Sequence, residues 1–62
     1  MDVSDVLVQE LDERVTYLKD WLVTGVAKDY SEYQKVSGEV KGLLTARGNI
    51  LDLKQKMENS DE

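Results

Sequence analysis

Between Asp29 and Met57 the chain reads DYSEYQKVSGEVKGLLTARGNILDLKQKM, and apolar residues return through it at helical spacing. Tyr33, Val36, Val40, Leu43, Leu44, Ile50, Leu51 and Met57 recur at steps of three, four and seven. At 3.6 residues per turn they fall within roughly a third of a helix circumference. The chain has no proline, so nothing removes a backbone donor or forces a kink. One long helix over about 30–58 is predicted. Arg47 points into the middle of its stripe, and Gly38 and Gly42 lie behind it. The rest of the chain is expected to cover that stripe.

The segment DVLVQELDERVTYLKDWLVT predicts a first helix over about 5–24. Val8, Val15 and Leu22 take the a positions of a heptad and Leu11 and Leu18 the d positions. Leu7 and Trp21 widen this seam on one side, while Gln9, Asp12, Glu13, Thr16, Lys19 and Asp20 form the opposite, polar face. Asp2 or Ser4 is the expected N-cap, and Asp5 in the first turn complements the positive end of the helix dipole. Gly25 follows as the left-handed residue that ends such a helix. Asp29 with Glu32, or Ser31 with Gln34, matches a capping box and starts the second helix at 30 or 31.

A connector of only Gly25 to Lys28 makes the two helices antiparallel neighbours. Folding the chain about 27–28 sets Leu22 against Tyr33, Leu18 against Val36, Val15 against Val40, Leu11 against Leu43 and Leu44, and Val8 near Arg47. Residues 52–58 are then expected to run past the start of the first helix, and 59–62 to be a frayed acidic tail. The prediction is an all-α antiparallel hairpin occupying 1–62 as one domain.

Size decides what else is needed. A chain of 62 residues draws only about 3–5 kcal/mol from a single core unless something reinforces it. It has no cysteine and no histidine, which removes disulfides, the usual zinc sites and the commonest acid–base catalyst. Association remains. A homodimeric four-helix bundle or larger oligomer is expected to cover what the hairpin leaves exposed.

Charge narrows the partners. Thirteen acidic and eight basic residues give −5, against binding to phosphate backbones or anionic lipid. The one basic line, Lys35, Lys41, Lys54 and Lys56, has acidic neighbours that offset it. No apolar run approaches the about 20 residues that span a bilayer, and the acidic start is unlike a secretory signal. A soluble, cytoplasmic protein without nucleic-acid, membrane or small-molecule partners is expected.

Several residues are candidates for more than packing. Arg47 is expected to pair across the hairpin with Asp5 or Asp12, the alternative being a role in partner recognition. Trp21, Tyr30 and Tyr33 are expected to pack under the connector and cap the core; the alternative is an exposed anchor patch. Tyr17 faces solvent and is a candidate partner contact, as is Trp21. Gly38 and Gly42, with Ala46 following, make a smooth strip where another backbone could approach; Gly48 is tolerated or marks a bend, at about 1 kcal/mol per glycine against alanine. Asp5, Asp12, Glu13 and Asp20 read as a solvated acidic face rather than a mimic of the DNA phosphate path, since Arg14 and Lys19 dilute it. There is no nucleophile–base arrangement, no phosphate loop and no metal-ligand spacing. Neither a catalytic residue nor a cofactor is expected.

The run Lys28–Tyr33, with its D-Y-x-E-Y pattern, is followed by a G-x-V-x-G-L core at Gly38–Leu43 and by Ala46 and Ile50–Leu53. This half of the chain resembles small, acidic helical-hairpin proteins of tailed bacteriophages, often encoded near head and packaging genes; Gly48 and Asn49 depart from the charged residues of that pattern. The resemblance implies a phage origin and a structural, assembly or host-interaction role, in the host cytoplasm or the virion, with no catalytic residues to carry over. Two functions follow as expectations: an oligomeric virion-associated or assembly protein, or a small inhibitor or adaptor whose exposed apolar face binds a host protein.

Overall fold

In the computed structural model, which describes residues 2–25 and 27–60, the chain forms α1 (Val3–Val23) and α2 (Tyr30–Ser60). Ion pairs fix their relative direction. Arg14 reaches Glu39, Asp12 reaches Arg47, and Asp5 reaches Lys54, so one helix descends as the other rises. The antiparallel helical hairpin expected from the periodicity is the fold.

α1 starts two residues before the expected position. Asp2 is its N-cap, accepting from the Asp5 amide at 2.9 Å, while the Asp5 carboxylate accepts from the Asp2 amide at 3.3 Å. This reciprocal pair satisfies two otherwise orphaned donors and pulls Val3 and Ser4 into the first turn. At the other end Thr24 is the C-cap. Its amide donates to the Asp20 carbonyl at 2.9 Å and its hydroxyl to the Trp21 carbonyl at 3.0 Å. Gly25 then takes φ +73°, the left-handed conformation that glycine adopts without steric cost. Val26, inside the expected connector, lies outside the described residues.

α2 is opened by Asp29, whose carboxylate accepts from the Glu32 amide at 2.8 Å. The alternative frame is not used: Ser31 is already helical, and the Gln34 side chain donates to the Tyr30 hydroxyl instead. Asn59 and Ser60, expected in a frayed tail, continue the helix; Asp61 and Glu62 lie outside the described residues. The expected overhang of residues 52–58 is also shorter. With α1 starting early, Lys54, Met57 and Glu58 still border Asp2 and Ser4.

The core is small. Val15, Leu18 and Val40 are 5–8% exposed, with Val36 and Leu43 packed against them. Val8, Leu11, Leu22 and Ile50 are half-buried along the same seam. Tyr33, Leu44, Leu51 and Met57 belong to the α2 stripe by spacing but remain exposed. One helix lying along another covers only the middle of a stripe about 100° wide.

The overall extents are 51 × 19 × 12 Å. The long dimension is α2 itself, about 46 Å for its 31 residues at 1.5 Å each. The shortest, 12 Å, is the thickness of one helix with side chains (about 10–12 Å). The hairpin is a single layer, whereas stable domains close a core between two.

The glycines separate backbone need from tolerance. Gly25→Ala places a Cβ at positive φ and is expected to destabilise the hairpin by about 1–2 kcal/mol. At Gly48 an added Cβ meets nothing within 4 Å, so Gly48→Ala should stabilise by up to about 1 kcal/mol. Urea unfolding followed by circular dichroism measures both, and equal effects at the two sites would contradict the assignment.

Candidate functional site

Because the hairpin is one layer thick, each side of it is a surface built from one flank of α1 and one flank of α2. Helical phase and the cross-pairs assign residues to them. On one side α1 presents Val3, Leu7, Glu10, Arg14, Tyr17 and Trp21, and α2 presents Lys35, Glu39, Gly42, Ala46, Leu53 and Met57. The Arg14–Glu39 pair and an open groove that Trp21 shares with Glu32, Lys35, Val36 and Glu39 hold these flanks together. We call this the Trp21 face. On the other side α2 presents Tyr30, Tyr33, Leu44 and Leu51, beside Asp5, Asp12, Lys19 and Val23 of α1; this is the Tyr33 face.

The two sides close the seam differently. On the Tyr33 face the Arg47 guanidinium donates to Asp12 at 2.6 Å and the Lys54 ammonium to Asp5 at 2.6 Å, with Asp2 at 3.8 Å. Arg47 therefore takes Asp12 of its two expected partners. Lys54 claims the other, a link not anticipated from the sequence. Asp5 and Asp12 are accordingly not free members of a solvated acidic face; both sit half-buried on the interhelical edge, whereas Glu13 and Asp20 are exposed. On the Trp21 face the one ion pair across the seam among the described residues is Arg14–Glu39, at 3.5 Å between exposed side chains. Pairs of that kind contribute about 0–1 kcal/mol.

The aromatic cap expected at the closed end does not form. Tyr30 and Tyr33 are 70% and 47% exposed and stack on each other instead, with ring centroids 6.4 Å apart. They precede or flank the point where α1 covers α2, so their rings lie beside the seam rather than over it. Trp21 is half-buried. Tyr17 is exposed, as expected, with the Arg14 guanidinium 5.4 Å from its ring centroid. Gly38 and Gly42 are open, and a Cβ at either would meet nothing within 4 Å. Of the small-residue strip, only Ala46 is half-buried within one hairpin.

The exposed large apolar residues divide between the faces. Val3, Leu7, Tyr17, Leu53 and Met57 lie on the Trp21 face, with Val6 at its margin, and Val23, Tyr30, Tyr33, Leu44 and Leu51 on the other. Sequence spacing alone does not mark Val6, Val23 and Leu53 as candidates; Val3 belongs to a second heptad line in the first helix, displaced from the first and interrupted by Glu10 and Arg14.

The whole accessible surface is 4971 Å² for a 7.1 kDa chain, whereas folded monomers of that mass expose about 4,100 Å², leaving roughly 900 Å² in excess. Among the described residues no group of three or more potential ligands gathers to hold a metal ion, and no helix is long and apolar enough to cross a membrane. The concavities are open grooves on the helix flanks. A broad surface suits a macromolecular partner better than an enclosed small ligand.

The Lys54–Asp5 pair gives stability a pH signature. The Lys54 hydrogen bond, helped by the Asp2 amide, holds the Asp5 carboxyl below the usual carboxylate range. The same hydrogen bond to Asp5 raises the Lys54 ammonium above the usual lysine value. The carboxylate's contribution is complete above the ordinary carboxylate pKa and is lost as pH falls through the depressed one. The lysine's is complete below the ordinary lysine pKa and is lost as pH rises through the raised one. Lys54→Met is therefore expected to lose less stability than the parent between about pH 6 and about pH 3. Identical acid limbs in pH-dependent urea melts would contradict this coupling.

Comparison with known proteins finds no family model, no curated protein and no solved structure that matches this chain.

Proposed function

We propose that the protein is a non-enzymatic protein–protein interaction module that acts as a helical homo-oligomer. The observation that carries this reading is the single-layer architecture. A hairpin one helix thick leaves roughly 900 Å² more surface exposed than a monomer of its mass should. That excess compares with the about 800 Å² that each partner contributes to a standard specific interface. The surface concerned is apolar on both sides and bears the tyrosines and tryptophan that interfaces favour.

The resemblance to small acidic phage hairpins supports placing this module in a virion or its assembly, next to head and packaging functions. A second reading has its own observation. If the Trp21 face is covered by a second copy, the Tyr33 face, with Tyr30 and Tyr33 stacked and exposed, still has nothing on it. This favours an adaptor or inhibitor that carries a host or phage protein there.

Sedimentation equilibrium of the purified protein over about a hundredfold range of concentration separates self-association from a partner-dependent state. A discrete oligomer that dissociates on dilution is expected. A folded monomer at every concentration would sink the homo-oligomer and leave both faces to a different protein.

A further inference from the structure

Along the Trp21 face, α1 presents Val3, Leu7, Glu10, Arg14, Tyr17 and Trp21, at alternating steps of four and three. This is an antiparallel coiled-coil line, and its order is symmetrical about residue 12. Reversed and laid on itself about that point, it sets Val3 opposite Trp21, Leu7 opposite Tyr17 and Glu10 opposite Arg14. Aliphatic residues meet aromatic ones at both ends, and opposite charges meet in the middle. Inside a single hairpin these residues have little to do. Glu10 makes no ion pair among the described residues, and Arg14, whose guanidinium lies 5.4 Å from the Tyr17 ring centroid, has one exposed ion pair there, at 3.5 Å to Glu39.

α2 supplies a second centre independently. On the same face its smallest residues, Gly42 and Ala46, are symmetrical about residue 44. Gly42 is exposed, with open space where a side chain would be, so two α2 backbones could approach closely there. The cross-pairs Arg14–Glu39 and Asp12–Arg47 place residue 12 level with a point between 41 and 47. Both centres therefore stand at the same height on the hairpin, where one two-fold axis passes through each.

We propose that two copies of this chain pack Trp21 face to Trp21 face about that axis, α1 antiparallel to α1 and α2 antiparallel to α2. This rests on the self-association proposed above and specifies its geometry. The bundle carries two Glu10–Arg14 pairs across the interface, with Gly42 against Ala46 at the α2 crossing. The excess surface of a single hairpin, roughly 900 Å², matches what each half of such a dimer buries. Each interface is isologous, so the assembly closes at two copies on this side.

Charge reversal tests the geometry. Glu10→Arg alone sets arginine against arginine, and Arg14→Glu alone sets glutamate against glutamate, so each variant should self-associate about tenfold or more weakly than the parent. An equimolar mixture of the two restores opposite charges at both sites and should form a heterodimer of near-parental affinity, as should the E10R/R14E double variant with itself. Gly42→Leu is a second probe, because leucine favours helix over glycine and its Cβ meets nothing within 4 Å in its own hairpin; it should weaken the dimer while raising monomer helicity. A parent that dimerises while these variants associate as tightly, or while the mixture fails to recover, overturns this interface and leaves self-association standing. A parent that is monomeric throughout overturns both.

Discussion

Two helices touch along one line. Everything about this protein follows from the shortage of cover that this imposes. Val15, Leu18 and Val40 are the residues both helices enclose, and the neighbouring apolar positions are shielded on one side only. In a larger domain a third element would close over them. Among the described residues α1 and α2 lie side by side, in a slab 12 Å thick, with no third element over them. The radius of gyration, 14.9 Å, exceeds the about 10.5 Å of a compact globule of this length, which restates the same fact as shape.

The hairpin nevertheless has a defined register, and polar chemistry sets much of it. Asp12–Arg47 and Asp5–Lys54 tie the Tyr33 side of the seam at 2.6 Å each. On the Trp21 side the one ion pair among the described residues is the long Arg14–Glu39 contact. The asymmetry also has a consequence for association. Charges on the Tyr33 edge are matched by short pairs within the chain, while on the other edge Arg14 has one long pair, with Glu39, and Glu10 makes none among the described residues; under the dimer proposed above, these two would pair across the interface.

Much of this was legible from the residues. Heptad spacing in the first helix and the long stripe in the second specify both helices and their antiparallel pairing, because a four-residue connector leaves no other arrangement. Gly25, Asp29 and Asp2 announced themselves by cap chemistry. The helix boundaries were less legible because an aspartate at Asp5 serves as the third residue of a capping box, a place where glutamate or glutamine is the usual signal. Periodicity gives the phase of a stripe but not the width a partner helix can cover, so spacing places Tyr30 and Tyr33 in a cap they do not make. Sequence alone places Lys54 in a basic line, because the reach of a lysine to the start of the other helix depends on the three-dimensional register. The faces themselves appear only when both flanks are assembled, and their symmetry only when both helices are set at one height.

A module of this kind carries its information in surface pattern rather than in a pocket. Its helices present two sides that mix exposed apolar and charged residues, one proposed above to pair with itself, the other bearing exposed tyrosines. The central claim is that the native helices depend on a second copy because one layer cannot close a core. The most direct measurement is the thermal unfolding midpoint, followed by circular dichroism across about a hundredfold range of protein concentration. A midpoint that climbs with concentration is the predicted result, because association then contributes to folding. A midpoint that stays constant while the chain remains fully helical would contradict it and make the single hairpin a self-sufficient fold.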